Sequence, residues 1–121
     1  MNSLILRLVV GNSLRPRTIQ GFLSGLPLVF QPRKAAKLNA VYRFRFTGKE
    51  EKLATVTIRD GTLQVQDGHQ GEADLRVTAD SETWLGFLAK ERSLLWALLR
   101  RRIHIKGSPK LLVAFGMCFP S

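Results

Sequence analysis

The chain has 121 residues, of which 45% are hydrophobic and 23% charged, and its formal charge is +10. That length suits one compact domain with a single core and excludes two catalytic domains in tandem. A lone cysteine, Cys118, excludes an intramolecular disulfide framework and a cysteine-rich zinc site, and with only His69 and His104 as histidines a dedicated metal centre is not expected.

The charge is unevenly spread. Residues 1–49 carry nine basic side chains and no acid, so +9; residues 50–91 carry four basic and nine acidic ones, so −5; residues 92–121 carry six basic and none acidic, so +6. Two basic segments therefore flank an acidic middle, and both suit an anionic surface. No stretch reaches the roughly 20 apolar residues of a membrane-spanning helix. Residues 1–24 are apolar, acid-free and contain arginine, which fits an organelle-targeting presequence or an amphipathic first helix lying on the domain or on a membrane. The expected division is a basic, apolar, helical N-terminal segment over residues 1–30 and a folded domain over residues 31–121.

In chain order, the spacing of Ile19, Phe22, Leu23, Leu26 and Phe30 predicts a helix from Thr18 to Phe30, with Gly25 and Pro27 as bending points. A short turn from Arg33 to Leu38 follows. The period then changes to two: Ala40, Tyr42, Phe44 and Phe46 alternate with Val41, Arg43, Arg45 and Thr47, predicting a strand with an aromatic inner face and a basic outer one. Ala54, Val56 and Ile58 form a second strand. Asp60-Gly61 is a two-residue hairpin signal, and Leu63 and Val65 lie on the return strand. A glycine-containing loop from Asp67 to Glu72 leads to a fourth strand with Leu75, Val77 and Ala79 on one face.

Asp80 or Ser81 caps a helix bearing Trp84, Leu85, Phe87 and Leu88. A second helix from about Ser93 carries Leu94, Leu95, Trp96, Leu98 and Leu99 into Arg100, Arg101 and Arg102, cations suited to a helix C-terminus. Ile103 and Ile105 mark a fifth strand. Ser108-Pro109 opens a last helix that places Leu111, Phe115 and Phe119 one above another, and Pro120 ends it. The expected architecture is an α+β layer: a five-stranded, mostly antiparallel sheet with helices on one face, and on the other a polar face that includes Arg43, Arg45, Arg59, Arg76 and Lys106.

No catalytic motif is present: there is no nucleophile elbow, phosphate-binding loop, dinucleotide fingerprint or metalloprotease helix. Asp67, Gly68, His69, Gly71 and Glu72 read as a polar turn between strands. Cys118, among Phe115, Met117 and Phe119, reads as a buried, inert thiol. No enzyme activity and no cofactor are expected. The excess of bulky apolar side chains on helices and sheet fits either a filled core or an apolar tunnel between the layers, and periodicity does not separate the two.

The run Leu38-Asn39-Ala40-Val41-Tyr42-Arg43-Phe44 with Phe46-Thr47-Gly48 resembles the first strand of the sterol carrier protein type 2 (SCP-2-like) domain. The Asp60-Gly61 hairpin, the Ala73-Asp74-Leu75 strand opening, the junction from Thr78 to Trp84 and Ile105-Lys106-Gly107 with Leu111-Leu112 are similar to later parts of it. The resemblance spans about residues 30–119. It implies a sheet covered by helices around a hydrophobic tunnel that takes sterol, fatty acid, fatty acyl-CoA or a similar lipid, and it transfers no catalytic residue.

With the residue pattern, the resemblance places a lipid tail among Phe44, Phe46, Trp84, Leu85, Leu88, Leu95, Leu99, Phe115 and Phe119, with burial worth roughly 0.8 kcal/mol per methylene. Arg43, Arg45, Arg100, Arg101 and Arg102 are the expected contacts to an anionic membrane or headgroup. The expected partners are a lipid, an anionic membrane surface and a partner enzyme; nucleic acid is not expected, because the aromatic side chains of the first strand lie opposite Arg43 and Arg45. The alternative function is that of an accessory or scaffold subunit with a vestigial pocket. Without a C-terminal peroxisomal tripeptide, the expected location is cytoplasmic or peripheral to a membrane.

Overall fold

A computed structural model describes residues 16–89 and 100–119. In chain order the elements are α1 (Ile19–Val29), β1 (Ala40–Thr47), β2 (Lys52–Arg59), β3 (Thr62–Asp67), β4 (Leu75–Asp80), α2 (Ser81–Leu88), β5 (Ile103–Lys106) and α3 (Pro109–Met117). The expected helix from Ser93 to Leu99 lies outside the described residues.

The five strands form one sheet in the order β3-β2-β1-β4-β5. β1 pairs antiparallel with β2, β2 with β3, and β4 with β5, whereas β1 and β4 run parallel. The sheet is thus mixed, with a single parallel pair at its centre. Alternation on β1 sends Ala40, Tyr42, Phe44 and Phe46 into the core, and Ala54, Val56 and Ile58 continue that face on β2. The β2–β3 hairpin turns on Asp60 and Gly61, both with positive φ (53° and 72°), as a tight two-residue turn of this hand requires.

The segment after β3 is more than a turn. Because β4 pairs with β1 and not with β3, the chain crosses the outer face of β2 and β1. Thr55 Oγ1 donates to Gly68 O (2.8 Å) and accepts from Gln70 N (3.0 Å), Arg43 Nη2 donates to Gly71 O, and His69 Nε2 lies 3.2 Å from Phe44 O. This cover explains why Thr55, a polar residue on the outer face, is only 1% exposed.

α1 packs on the inner face. Ile19, Phe22, Leu23, Leu26 and Val29 are buried in the same cluster as the sheet residues. The stripe closes on Val29, three residues after Leu26, and Phe30 becomes the extended C-cap with its ring 5.9 Å from that of Phe119. The N-terminus of α1 is capped twice. Thr18 Oγ1 accepts from Gly21 N (2.9 Å), and the Glu50 carboxylate accepts from Ile19 N and Gln20 N at 2.8 and 3.1 Å. Residues 16–30 therefore share one core with residues 31–119, and residues 1–15 lie outside the described residues.

Asp80 is the cap of α2, accepting from Thr83 N (3.0 Å) and Thr83 Oγ1 (2.9 Å), while Glu50 N donates to Ser81 Oγ at 3.1 Å. Ser108 caps α3 with Pro109 in its first turn. α3 ends at Met117, two residues short of the expected Phe119, since a residue preceding proline is disfavoured in the helical region. Phe119 nevertheless stays buried, its ring 5.0 Å from Phe115.

Candidate functional site

The inner layer is built on β1. Phe44 and Phe46 project from the same strand face and stack with ring centroids 5.7 Å apart and planes 7° from parallel. Trp84, brought over them by the first turn of α2, meets Phe44 at 5.6 Å and Phe46 at 5.8 Å. Phe115 from α3 sits 5.6 Å from Phe44 on the other side. Five expected site residues, Phe44, Phe46, Trp84, Phe115 and Phe119, thus join one aromatic cluster, and each is 7% exposed or less. Centroid distances of this size and the tilted geometries are favourable for aromatic pairs.

Phe22 of α1 closes this cluster from above. Its ring lies edge-on to Phe44, Phe46 and Trp84 at 6.3, 6.2 and 5.6 Å. The sequence placed Phe22 on the helical stripe but not in the site, because nothing in the spacing says which strand residues a helix will meet. Leu85, Phe87 and Leu88 are half-buried along α2 and form the margin of the cluster. Leu95 and Leu99 lie outside the described residues.

Two polar groups are set into this layer. The Tyr42 hydroxyl donates to Leu111 O at 2.7 Å, tying β1 to α3, and burial pushes its pKa well above the ordinary tyrosine value, with Cys118 and Asp74 adding to the rise. Burial likewise pushes the Cys118 thiol up, and its Sγ contacts Ala114 O at 3.3 Å; such a thiol is a poor nucleophile. Trp84 Nε1 is buried with no hydrogen-bond partner among the described residues.

The expected anionic contacts divide into two groups. Arg43 and Arg45 stand on the outer face of β1, Arg45 exposed and Arg43 half-buried beneath the crossover. Arg100, Arg101 and Arg102 are exposed just before β5, where Arg101 adopts a positive φ of 56° and Arg102 O accepts from Asp80 N at 3.1 Å. An open cleft of about 620 Å³ lies by Arg45, Phe46, Leu53, Asp67 and His69, where the crossover leaves β3. Among the described residues no helix is long and apolar enough to cross a membrane.

The family model described as the SCP-2 sterol transfer family matches residues 30–119. The chain belongs to that family. Solved SCP-2 structures share its fold: sterol carrier protein 2 like 2 from Aedes aegypti is 18% identical with a TM-score of 0.65, over 91% of this chain and 95% of that one. A ubiquinone synthesis protein, UbiJ-SCP2, is 15% identical with a TM-score of 0.56, over 98% and 91% of the two chains. The sec-alkylsulfatase Pisa1 from Pseudomonas sp. is 22% identical with a TM-score of 0.74 over 88% of this chain, which spans only 17% of the sulfatase's length. Comparison with curated protein sequences finds no significant match.

Proposed function

We propose that this SCP-2 chain binds a hydrophobic lipid without catalysis and transfers or presents it. The observation that carries this reading is the continuous aromatic and aliphatic layer between sheet and helices, fully buried at Phe44, Phe46 and Trp84 and half-buried at Leu85, Phe87 and Leu88. The acyl or isoprenoid tail enters at that half-buried margin, and burial of its methylenes supplies the affinity. A structural neighbour described as palmitated SCP2L2 supports a fatty-acyl cargo.

Titration with a fluorescent fatty acid and a fluorescent sterol tests the reading. Leu88→Asp and Leu95→Asp are expected to reduce binding by more than tenfold, because a tail cannot lie against a carboxylate at low cost. Unchanged affinity in folded variants would remove Leu88 and Leu95 from the site.

A second reading has its own support. The rings of Phe22, Phe44, Phe46 and Trp84 pack against one another, and the neighbours include a ubiquinone synthesis protein and part of a sulfatase. In this reading the chain is an accessory subunit for a lipid-handling enzyme and its pocket is vestigial. A stable complex with a partner enzyme, together with refusal of every lipid probe, favours it.

A further inference from the structure

The outer face of the sheet carries a feature that lipid uptake does not use. The register sets Arg43 of β1 opposite Arg76 of β4, and Arg76 opposite Lys106 of β5. Three basic residues thus stand in one row across three adjacent strands, their backbone positions about 5 Å from one to the next. The neighbouring row repeats the theme with Arg45, Thr78 and His104. Like charges directly opposite each other destabilise a sheet. No acid among the described residues forms an ion pair with Arg43, Arg45, Arg76 or Lys106. The two acids on this side of β4 are occupied elsewhere: Asp74 accepts from Val41 N (2.8 Å) and Asp80 caps α2.

We propose that this face, centred on Arg76 and Lys106 with Arg45 beside them, docks the protein on an anionic phospholipid bilayer. The side chains there are chiefly cations, threonines and His104 on a pleated surface, with Glu51 and Asp67 at the margin beside Arg45. No phenylalanine, tyrosine or tryptophan points outward on β1, β4 or β5, so a stacking platform for nucleobases is missing. The outward positions of β1, β4 and β5 also lack a leucine, methionine or aromatic anchor of the kind that centres a protein–protein interface; Leu53 of β2, 43% exposed, stands opposite Arg45 at the margin of the face, away from Arg76 and Lys106. A diffuse array of lipid phosphates needs neither. Arg100, Arg101 and Arg102, exposed immediately before β5, extend the same basic field. Docking by this face leaves the helical layer directed away from the bilayer, an arrangement suited to presenting a bound lipid. The proposal does not depend on a lipid being bound.

The test is co-sedimentation of the full chain with vesicles of phosphatidylglycerol and phosphatidylcholine (1:3) and with vesicles of phosphatidylcholine alone. Each basic residue near an anionic surface strengthens binding by roughly fivefold, so Arg45→Gln, Arg76→Gln and Lys106→Gln combined should weaken binding to the anionic vesicles by about a hundredfold. A variant with the same loss of charge elsewhere, Arg33→Gln with Lys34→Gln and Lys37→Gln in the exposed turn after α1, should lose far less. Retention of fatty-acid uptake by the sheet variant separates docking from cargo binding. Equal losses in the two variants, equal binding to neutral vesicles, or binding to an RNA or acidic protein but not to anionic vesicles would each overturn the proposal.

Discussion

The two faces of β1 make the instructive contrast. On the inner side Tyr42, Phe44 and Phe46 are at most 2% exposed and each touches rings from helices that arrive from distant parts of the chain. On the outer side Arg43 and Arg45 meet threonines, Leu53, a backbone carbonyl and one further cation, Arg76. One strand of eight residues thus separates an apolar layer from a cationic surface by alternation alone. The inner side stabilises the fold through burial. The outer side contributes less: the crossover buries Thr55 and accepts a bond from Arg43, but the row of facing cations beside it works against stability.

The inner side breaks most easily. Phe44→Ala removes the ring that meets Phe22, Phe46, Trp84 and Phe115, and is expected to cost about 3–5 kcal/mol, read as a lower midpoint in urea unfolding. Glu50→Ala comes next. It removes both tertiary caps of α1 and should cost about 1–2 kcal/mol, with amide exchange at Ile19 and Gln20 accelerating most.

Tyr42→Phe sharpens the contrast at a single atom. Loss of the bond to Leu111 O should cost about 1 kcal/mol. The parent protein should also lose stability in alkali. The folded pKa values of Tyr42 and Cys118 lie above their ordinary values of 10.0 and 9.0, so each group's contribution is complete below that value and falls as pH rises past it. Unfolding midpoints measured from pH 7 to 11 should be level to about pH 9 and then decline, with a shallower decline in Tyr42→Phe. The outer side should respond least: Arg76→Gln is expected to change stability by no more than about 0.5 kcal/mol, toward higher stability as one of the facing cations is removed.

Much of this fold was legible in the sequence. Period-two alternation marked β1, the Asp60-Gly61 pair marked the hairpin, and Ser108-Pro109 marked the start of α3. These signals are local, each residing in a few consecutive residues. What the sequence did not reveal is non-local. Nothing near Glu50 says that it caps a helix thirty residues earlier, and nothing in Thr55 announces the crossover that buries it. The parallel pairing of β4 with β1 likewise depends on which strand edge is free. Within the candidate site, the apolar character of Phe44, Phe46, Trp84, Phe115 and Phe119 was readable, but the meeting of Phe22 with three of them was not. The basic row shows the same limit, since only register puts Arg43, Arg76 and Lys106 side by side.

Native mass spectrometry of freshly purified protein, with identification of whatever is released on denaturation, tests the lipid-binding account most directly. The account predicts a one-to-one adduct released as a single lipid class, or an apo mass converted to such an adduct by added palmitate or sterol. An apo mass that takes up neither would contradict it and would leave the aromatic layer as core alone.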